Sequence, residues 1–483
     1  MTARVNSSDS APGARTIAAR LDRLPVLPVH RLAVALIGFG LFFDIYEIFL
    51  AGTLSVVLTS AFGVSGLALE AVLAGAFVGQ FFGAVLFGRL GDRLGRRRTF
   101  LINLTLYSTA SFLGGLSPNS PTLVVTRFFA GLGIGAELAL ADTYLSDLLP
   151  ARIRGKYVAL AYTTGFLGVP VAGFLASRLV SLQPLGVAGW RWMFFFGGLG
   201  ALSVGLLRRS LPESPRWLES VGRFDEAERL VVRWERTATR RGADLPPARE
   251  AQLPVPPRRP PVRTLFTGVL ARRTVMQWTI NALQVFGYYG FGTLAPLVLQ
   301  SKGYSVVESL GFLALTYIGY PVGSLLSLPV IERVERKVLI AASALAMAVS
   351  GLLFGLGSST VSIVAWGFVF TAVSNLFANA FHTYLGEVYP TALRSTAVGT
   401  AYSISRLVTA LLPFVLIPVL DRFGAVTVYT VVALALGLLA VDVVLLGPRT
   451  TGLPLEAVSG EPSAQTPPGH GARPAPQSPG GGS

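Results

Sequence analysis

Gly88-Arg-Leu-Gly-Asp-Arg-Leu-Gly-Arg-Arg-Arg98 is a short basic stretch between two long apolar blocks, residues 68–88 and 99–117. Each block has about the 20 mostly apolar residues that a helix needs to cross a bilayer. The arrangement returns 240 residues later. Asp92-Arg93 recurs as Glu332-Arg333, and Arg96-Arg97 as Arg336-Lys337. A second loop shares the offset. Thr143-Tyr144-Leu145 recurs as Thr383-Tyr384-Leu385, while Asp147, Pro150 and Arg154 are matched by Glu387, Pro390 and Arg394. Basic loops in general would share arginines, but not acids at matching places. The chain therefore reads as an internal duplication.

Outward from that loop, the apolar pattern repeats. Of the 483 residues 52% are hydrophobic and only 13% charged, about half the charge of a soluble protein. Twelve candidate spans follow: 32–59, 68–88, 99–117, 121–145, 157–180, 189–207, 274–299, 307–330, 338–357, 361–385, 396–418 and 425–446. They are numbered 1 to 12 below. Helices are expected, since every backbone polar group in lipid needs an internal partner. Gly75, Gly79 and Gly83 recur at the four-residue spacing that lets helix backbones approach closely. The fold class is thus all-α integral membrane, with two six-helix halves of like orientation. In that architecture the solute site lies between the halves, near mid-membrane.

The net charge of +15 follows topology rather than nucleic-acid binding, because the basic residues sit between apolar blocks. Arg89, Arg93, Arg96, Arg97, Arg98, Arg152, Arg154, Lys156, Arg333, Arg336, Lys337 and Arg394 fall in loops on one side. The other side holds only Arg178, Arg191, Lys302 and Arg422. The asymmetry places both termini in the cytoplasm. The expected organisation is a disordered N-terminus 1–30, a first half 31–207, a cytoplasmic linker 208–273, a second half 274–446 and a disordered tail 447–483. Within the linker, a short charged helix is expected around Phe224–Thr237. With no cysteine, disulfides and thiolate metal sites are excluded. His30, His382 and His470 form no metal-ligand spacing. No nucleophile, metal or phosphate-loop constellation suggests an enzyme, and no cofactor is implied.

The stretch Gly88–Arg98 closely resembles the loop between helices two and three of the major facilitator superfamily. Arg127-Phe-Phe-Ala-Gly-Leu-Gly-Ile-Gly135 looks like its fourth-helix motif, and Pro212-Glu-Ser-Pro-Arg-Trp-Leu218 like the segment after helix six in sugar porters and their organic-ion relatives. The likeness runs from about residue 32 to 446. Span 7 departs from sugar porters: it lacks their glutamine pair, and Asn281 stands seven residues before Tyr288. Tyr288-Tyr-Gly290 followed by Pro296, and Glu387-Val-Tyr-Pro-Thr-Ala-Leu-Arg394 with Arg406, look more like aromatic-acid, niacin and synaptic-vesicle-type transporters. The resemblance implies a proton symporter for a small organic acid.

An ionisable group inside a span costs at least about 2.5–3.5 kcal/mol and is a functional candidate by default. Asp44 and Glu47 share a face of span 1, and two carboxylates so close repel, as a proton carrier requires. By rise per residue, Arg127 in span 4 lies at a depth compatible with Asp44. The sugar-porter likeness implies Asp44 as proton acceptor and Arg127 as its partner. Glu137 is either a second proton site or part of a cavity wall. Arg406 is either the anchor of a substrate carboxylate, through a bidentate fork, or half of a salt bridge. His382 stands where the first half has Asp142 and is a weaker candidate. Asn281, Gln284, Tyr288 and Tyr289 on span 7 are expected to line the cavity. The likeness further implies that Asp92, Arg93, Arg96, Asp147 and Arg154 form a cytoplasmic gate, mirrored by Glu332, Arg333, Arg336, Glu387 and Arg394. Glu335 stands where the first half has Gly95, so the second loop is expected to grip less tightly.

Three other functions remain open: a sugar or polyol symporter, a drug or metabolite antiporter, and a sensor that no longer transports. The expected partners are a small-molecule substrate, protons and membrane lipid, without nucleic acid. A monomer in the plasma membrane is expected.

Overall fold

The computed structural model describes residues 17–450 apart from 136, 248–260, 332 and 390. The side chains of Asp92, Arg154 and Arg394 also lie outside the description. Span 1 runs Pro28–Thr53 and continues as Ser55–Phe62, span 2 is Leu67–Leu94 and span 3 Arg96–Gly115. Span 4 is Ser120–Ile134 with Glu137–Leu148, span 5 Ala151–Phe166 with Gly168–Leu179, and span 6 Gly189–Arg208. In the second half, span 7 is Gly268–Ser301, span 8 Val306–Tyr317 with Gly319–Ser327, span 9 Arg336–Leu356 and span 10 Thr360–Glu387. Spans 11 and 12 form one run, Thr391–Leu446, broken at Gly424 with φ 79°.

Nine of the described helices are long and apolar enough to cross a membrane. The other three spans follow from particular residues. Gly424 divides one run into two, span 4 is described in two pieces because residue 136 lies outside the description, and span 3 carries Arg96, Arg97, Arg98 and Asn103 among its apolar residues. Short polar residues start several spans. The Asn119 side chain accepts from Thr122 N–H at 3.0 Å before span 4, and Ser305 and Glu308 form a capping box before span 8.

The duplication extends to packing. A Cβ added at Gly79 or Gly83 of span 2 would meet the carbonyl of Phe128 or Leu132 of span 4. In the second half, Gly319 and Gly323 of span 8 meet the carbonyls of Phe368 and Ala372 of span 10. All four positions advance by 240 residues. Close backbone approach at one helix crossing has therefore been kept in both halves.

The halves meet tightly at the end away from the linker. There a Cβ on Gly52 of span 1 would stand 2.8 Å from Thr293 Cα of span 7, and one on Gly173 of span 5 would stand 2.8 Å from Ala314 Cα of span 8. At the linker end, Asp142 and His382 are exposed although both lie inside spans. The cleft between the halves is thus closed at one end and open at the other.

Two expectations need correction. Residues 17–30, expected to be disordered, are ordered. Ile17–Asp22 is a helix whose Ile17 and Leu21 share a buried cluster with Ala227, Val231 and Trp234 of the linker helix Phe224–Arg240. Arg20 and Arg23 both bond Glu235, at 2.7 Å and 2.5 Å, and Arg216 bonds Asp22 at 2.9 Å. Burial alone would raise the Glu235 carboxyl, but hydrogen bonds from Arg20 and Arg23 hold it below the ordinary carboxylate range. The second correction is Arg208, taken as the first linker charge. It points back into the first half.

Candidate functional site

Two buried ion pairs occupy the interior of the first half. Arg127 on span 4 donates to the Glu47 carboxylate on span 1, and its other nitrogen donates to the Glu47 carbonyl at 3.0 Å. Ser111 on span 3 donates to the second Glu47 oxygen at 2.9 Å. The expected pairing of Arg127 with Asp44 is therefore overturned. Asp44 and Glu47 share a face, and depth alone did not separate them. The guanidinium takes the residue whose backbone carbonyl, carboxylate and serine neighbour it can satisfy together.

The second pair is Arg208 with Glu137. Arg208 also reaches the Leu36 carbonyl at 3.3 Å and stacks 4.6 Å from the Phe100 ring centroid. Asn103 neighbours Glu137. So Glu137 is not a cavity wall; it is sealed against an arginine at the end of span 6. An arginine next to a linker ordinarily faces water. As the last residue of an apolar helix, Arg208 carries no signal in the sequence that separates it from a loop charge.

Asp44 is completely buried, and neither carboxylate oxygen has a hydrogen-bond partner among the described residues. The Tyr107 hydroxyl lies beside it, with the Glu137–Arg208 pair and Glu47 within electrostatic reach. Three carboxylates thus share this interior with two guanidiniums. If all were ionised, one uncompensated negative charge would remain in a dry core. That costs many kcal/mol, and one proton removes it.

The second half contributes a different chemistry. Arg406 on span 11 is 8% exposed and donates to the Tyr289 hydroxyl at 2.9 Å. It has no carboxylate partner among the described residues. The salt-bridge alternative for Arg406 is thereby removed. Tyr289 packs on Phe77 with centroids 5.3 Å apart, and Tyr288 on Phe49 at 5.8 Å. Phe166 stacks on Tyr320 at 6.3 Å. Each contact joins the two halves, so the cleft has an aromatic wall built from both.

The remaining span 7 candidates divide. Gln284 is half-buried and donates to Ser405 Oγ at 3.1 Å, next to Arg406 in sequence. Asn281 does not line the cleft. It is fully buried and donates to the Gln277 carbonyl at 2.8 Å, one turn back on its own helix. Its Oδ1 and both amide atoms of Gln277 lack partners among the described residues. His382 lies toward the open end, bonded through Nδ1 to the Tyr402 hydroxyl.

At the linker end the duplicated motif forms duplicated contacts. Arg96 approaches Asp147 at 3.9 Å, and their counterparts Arg336 and Glu387 pair at 3.0 Å. Both pairs stay within one half. Arg93 and Arg333 are exposed, without a side-chain partner among the described residues. Asp92, Arg154, Glu332 and Arg394 lie outside the described side chains. The segment Pro212–Leu218 braces the first loop: Glu213 accepts from Arg96 N–H at 3.1 Å, and Ser214 donates to Asp147 at 2.9 Å. Burial holds the Glu213 carboxyl above the ordinary range. Glu335 contributes differently from Gly95, accepting from Thr450 N–H at 3.0 Å.

A family model described as sugar (and other) transporter matches residues 34–461. The chain is 31% identical over 450 residues to the niacin transporter of Acinetobacter baylyi, covering 92% of this chain and 99% of that one. It is 30% identical over 454 residues to an inner membrane metabolite transport protein of Escherichia coli, covering 91% and 96%. The fold matches the xylose transporter from E. coli in a partially occluded inward open conformation, with TM-score 0.70 and 21% identity over 89% of this chain and all of that one.

Proposed function

Because the chain belongs to the sugar (and other) transporter family of the major facilitator superfamily, we propose that it imports a small aromatic carboxylate together with a proton. It is a multi-pass membrane transporter of the sugar and metabolite type, and its relatives are transporters rather than enzymes. The reading places both termini in the cytoplasm of a plasma membrane, supported by the basic loops at the linker end.

One observation carries the substrate class. Arg406 is buried with no carboxylate partner among the described residues, beside an aromatic wall. A buried guanidinium is costly unless an anion completes it. A substrate carboxylate supplies that anion, and its ring packs against Tyr288, Tyr289 and Phe49. The name of the A. baylyi relative, a niacin transporter, fits a ring bearing one carboxylate.

Protonation of Asp44 supplies the coupling. With a proton on the Asp44 carboxyl, the Glu47–Arg127 and Glu137–Arg208 pairs are left balanced. Its loss leaves a charge that Arg208 or Arg127 must turn to meet, and that rearranges spans 1, 4 and 6 together. Alternating access follows if substrate and proton each change the balance between the two cleft states.

A sugar or polyol is the second reading. The description of the matching family, sugar (and other) transporter, favours it. Uptake into proteoliposomes under an imposed proton gradient separates the two. Nicotinate or benzoate should accumulate and a pentose should not. Proton-driven accumulation of pentose with no uptake of either acid would reverse the assignment.

A further inference from the structure

We propose that Asp142 and His382 are opposing halves of an ionisable latch that closes the linker end of the cleft. The two residues are 240 positions apart, the interval of the duplication. So are Tyr162 and Tyr402. Each half therefore presents one titratable side chain from its fourth helix and one tyrosine from its fifth.

The structure pairs them within each half. Asp142 lies within electrostatic reach of the Tyr162 hydroxyl. The Tyr402 hydroxyl bonds His382 Nδ1, and the two rings stack with centroids 5.9 Å apart at 23°. The two pairs also converge on each other. Tyr402 lies within electrostatic reach of both Tyr162 and Asp142 across the cleft. Asp142 and His382 are exposed, and an ionisable group in a span is far cheaper facing water than lipid.

Symmetry sets what happens on closure. An axis along the membrane normal places equivalent residues at one depth on opposite walls. Spans 4, 5, 10 and 11 can close this end only by bringing Asp142 and His382 toward each other. No ion pair between described residues joins the halves in this state. The Arg96–Asp147 and Arg336–Glu387 pairs each stay within one half. The opposite end is sealed by glycine packing and aromatic rings.

The charge balance makes the latch conditional. From span 11, Arg406 faces His382 and repels an imidazolium. Tyr402 and, behind it, Tyr289 are uncharged neighbours on that wall. From the opposite wall come Asp142 and Tyr162, with Asp44 behind Tyr162. Among the described residues at the mouth of the cleft, the negative group that meets His382 on closure is Asp142. A protonated imidazole pairs with it at short range and outweighs the more distant Arg406, whereas a neutral imidazole gains much less. An imidazole gains its proton as pH falls, and Asp142 favours that proton in the closed state, so acidification of the linker side favours closure of that side.

The natural absence of cysteine makes the test direct. Spin labels on Arg98→Cys and Val338→Cys, exposed positions that are themselves 240 apart, report the distance between the halves by double electron–electron resonance. Between about pH 8 and about pH 5.5 the short-distance population should grow. Asp142→Asn and His382→Gln should each abolish that growth, and the exchange Asp142→His with His382→Asp should restore it. Asp44→Asn should keep it, which separates the latch from proton coupling. A response that persists in His382→Gln, or that vanishes in Asp44→Asn but not in Asp142→Asn, overturns the latch.

Discussion

Arg127 donates to the Glu47 carboxylate, while Asp44, one turn away on the same helix face, is buried with no hydrogen-bond partner among the described residues. Removing one partner of a buried pair leaves an uncompensated charge and costs about 3–5 kcal/mol. Glu47→Ala should therefore lower the apparent melting temperature in detergent sharply. Glu47→Leu with Arg127→Met should recover most of the loss. Asp44→Asn should change it little. Equal losses in Glu47→Ala and Asp44→Asn would mean that the two carboxylates are not distinguished as the structure shows them.

Asp44→Asn should also divide two kinds of transport. A neutral side chain mimics the protonated carboxyl, so exchange of labelled for unlabelled substrate across the membrane should survive. Net uptake driven by a proton gradient should be lost. Retained gradient-driven accumulation in this variant would move proton coupling to another group.

Arg406→Gln should weaken an aromatic acid selectively. A charge-assisted hydrogen bond is worth about 1.5–3 kcal/mol, or roughly 10- to 100-fold in affinity. Ligand-induced thermal stabilisation by nicotinate should vanish while the unliganded melting temperature holds or rises, because an unpaired buried cation has been removed. Unchanged stabilisation by nicotinate would place the carboxylate elsewhere.

Gly95→Ala should destabilise the first loop. Gly95 has φ 97°, and an added Cβ would strike the Glu213 carboxylate that caps span 3. Strain of this kind costs on the order of 1–3 kcal/mol. Glu335→Ala at the equivalent place should be milder, since Glu335 has φ −56° and loses only a bond to the Thr450 backbone. Melting curves of the two variants give the comparison.

The docking of the Ile17–Asp22 helix should depend on pH. The Glu235 carboxyl is held below its ordinary value by Arg20 and Arg23 against the pull of burial. Its contribution is thus present above the unfolded-state value of about 4.3 and lost as pH falls through the folded one. Glu235 is only part-buried, near the protein surface, and solvent screening keeps the contribution on the order of 1 kcal/mol. Hydrogen exchange in residues 17–22 should quicken as pH drops below about 4, after correction for intrinsic rates. Glu235→Gln should exchange faster at neutral pH and lose that dependence.

Several parts of the site were legible for a definite reason. Asp44, Glu47, Arg127 and Glu137 stand out because a charge in an apolar run is expensive wherever the helix sits. Arg406 stands out for the same reason. Arg208 did not, because a charge at a helix end is cheap and reads as a loop residue. Asn281 was assigned to the cleft by helical spacing. Spacing fixes a residue's position around its own helix but not which neighbour covers it.

Apolar length, basic loops and a 240-residue echo determine twelve spans in two matched halves, because those features act locally along the chain. They also determine that buried carboxylates and arginines must find partners. Which partners they find is tertiary. Asp44 and Glu47 present the same face to span 4, and only the packing of spans 1, 3, 4 and 6 decided that Arg127 would take Glu47 and Arg208 would take Glu137. Among the described residues, the same packing left Asp44 with no hydrogen-bond partner and Arg406 with no acid. Electrostatic energy in a dry interior changes steeply with distance, so shifts of one side chain's length decide pairings that sequence spacing leaves open.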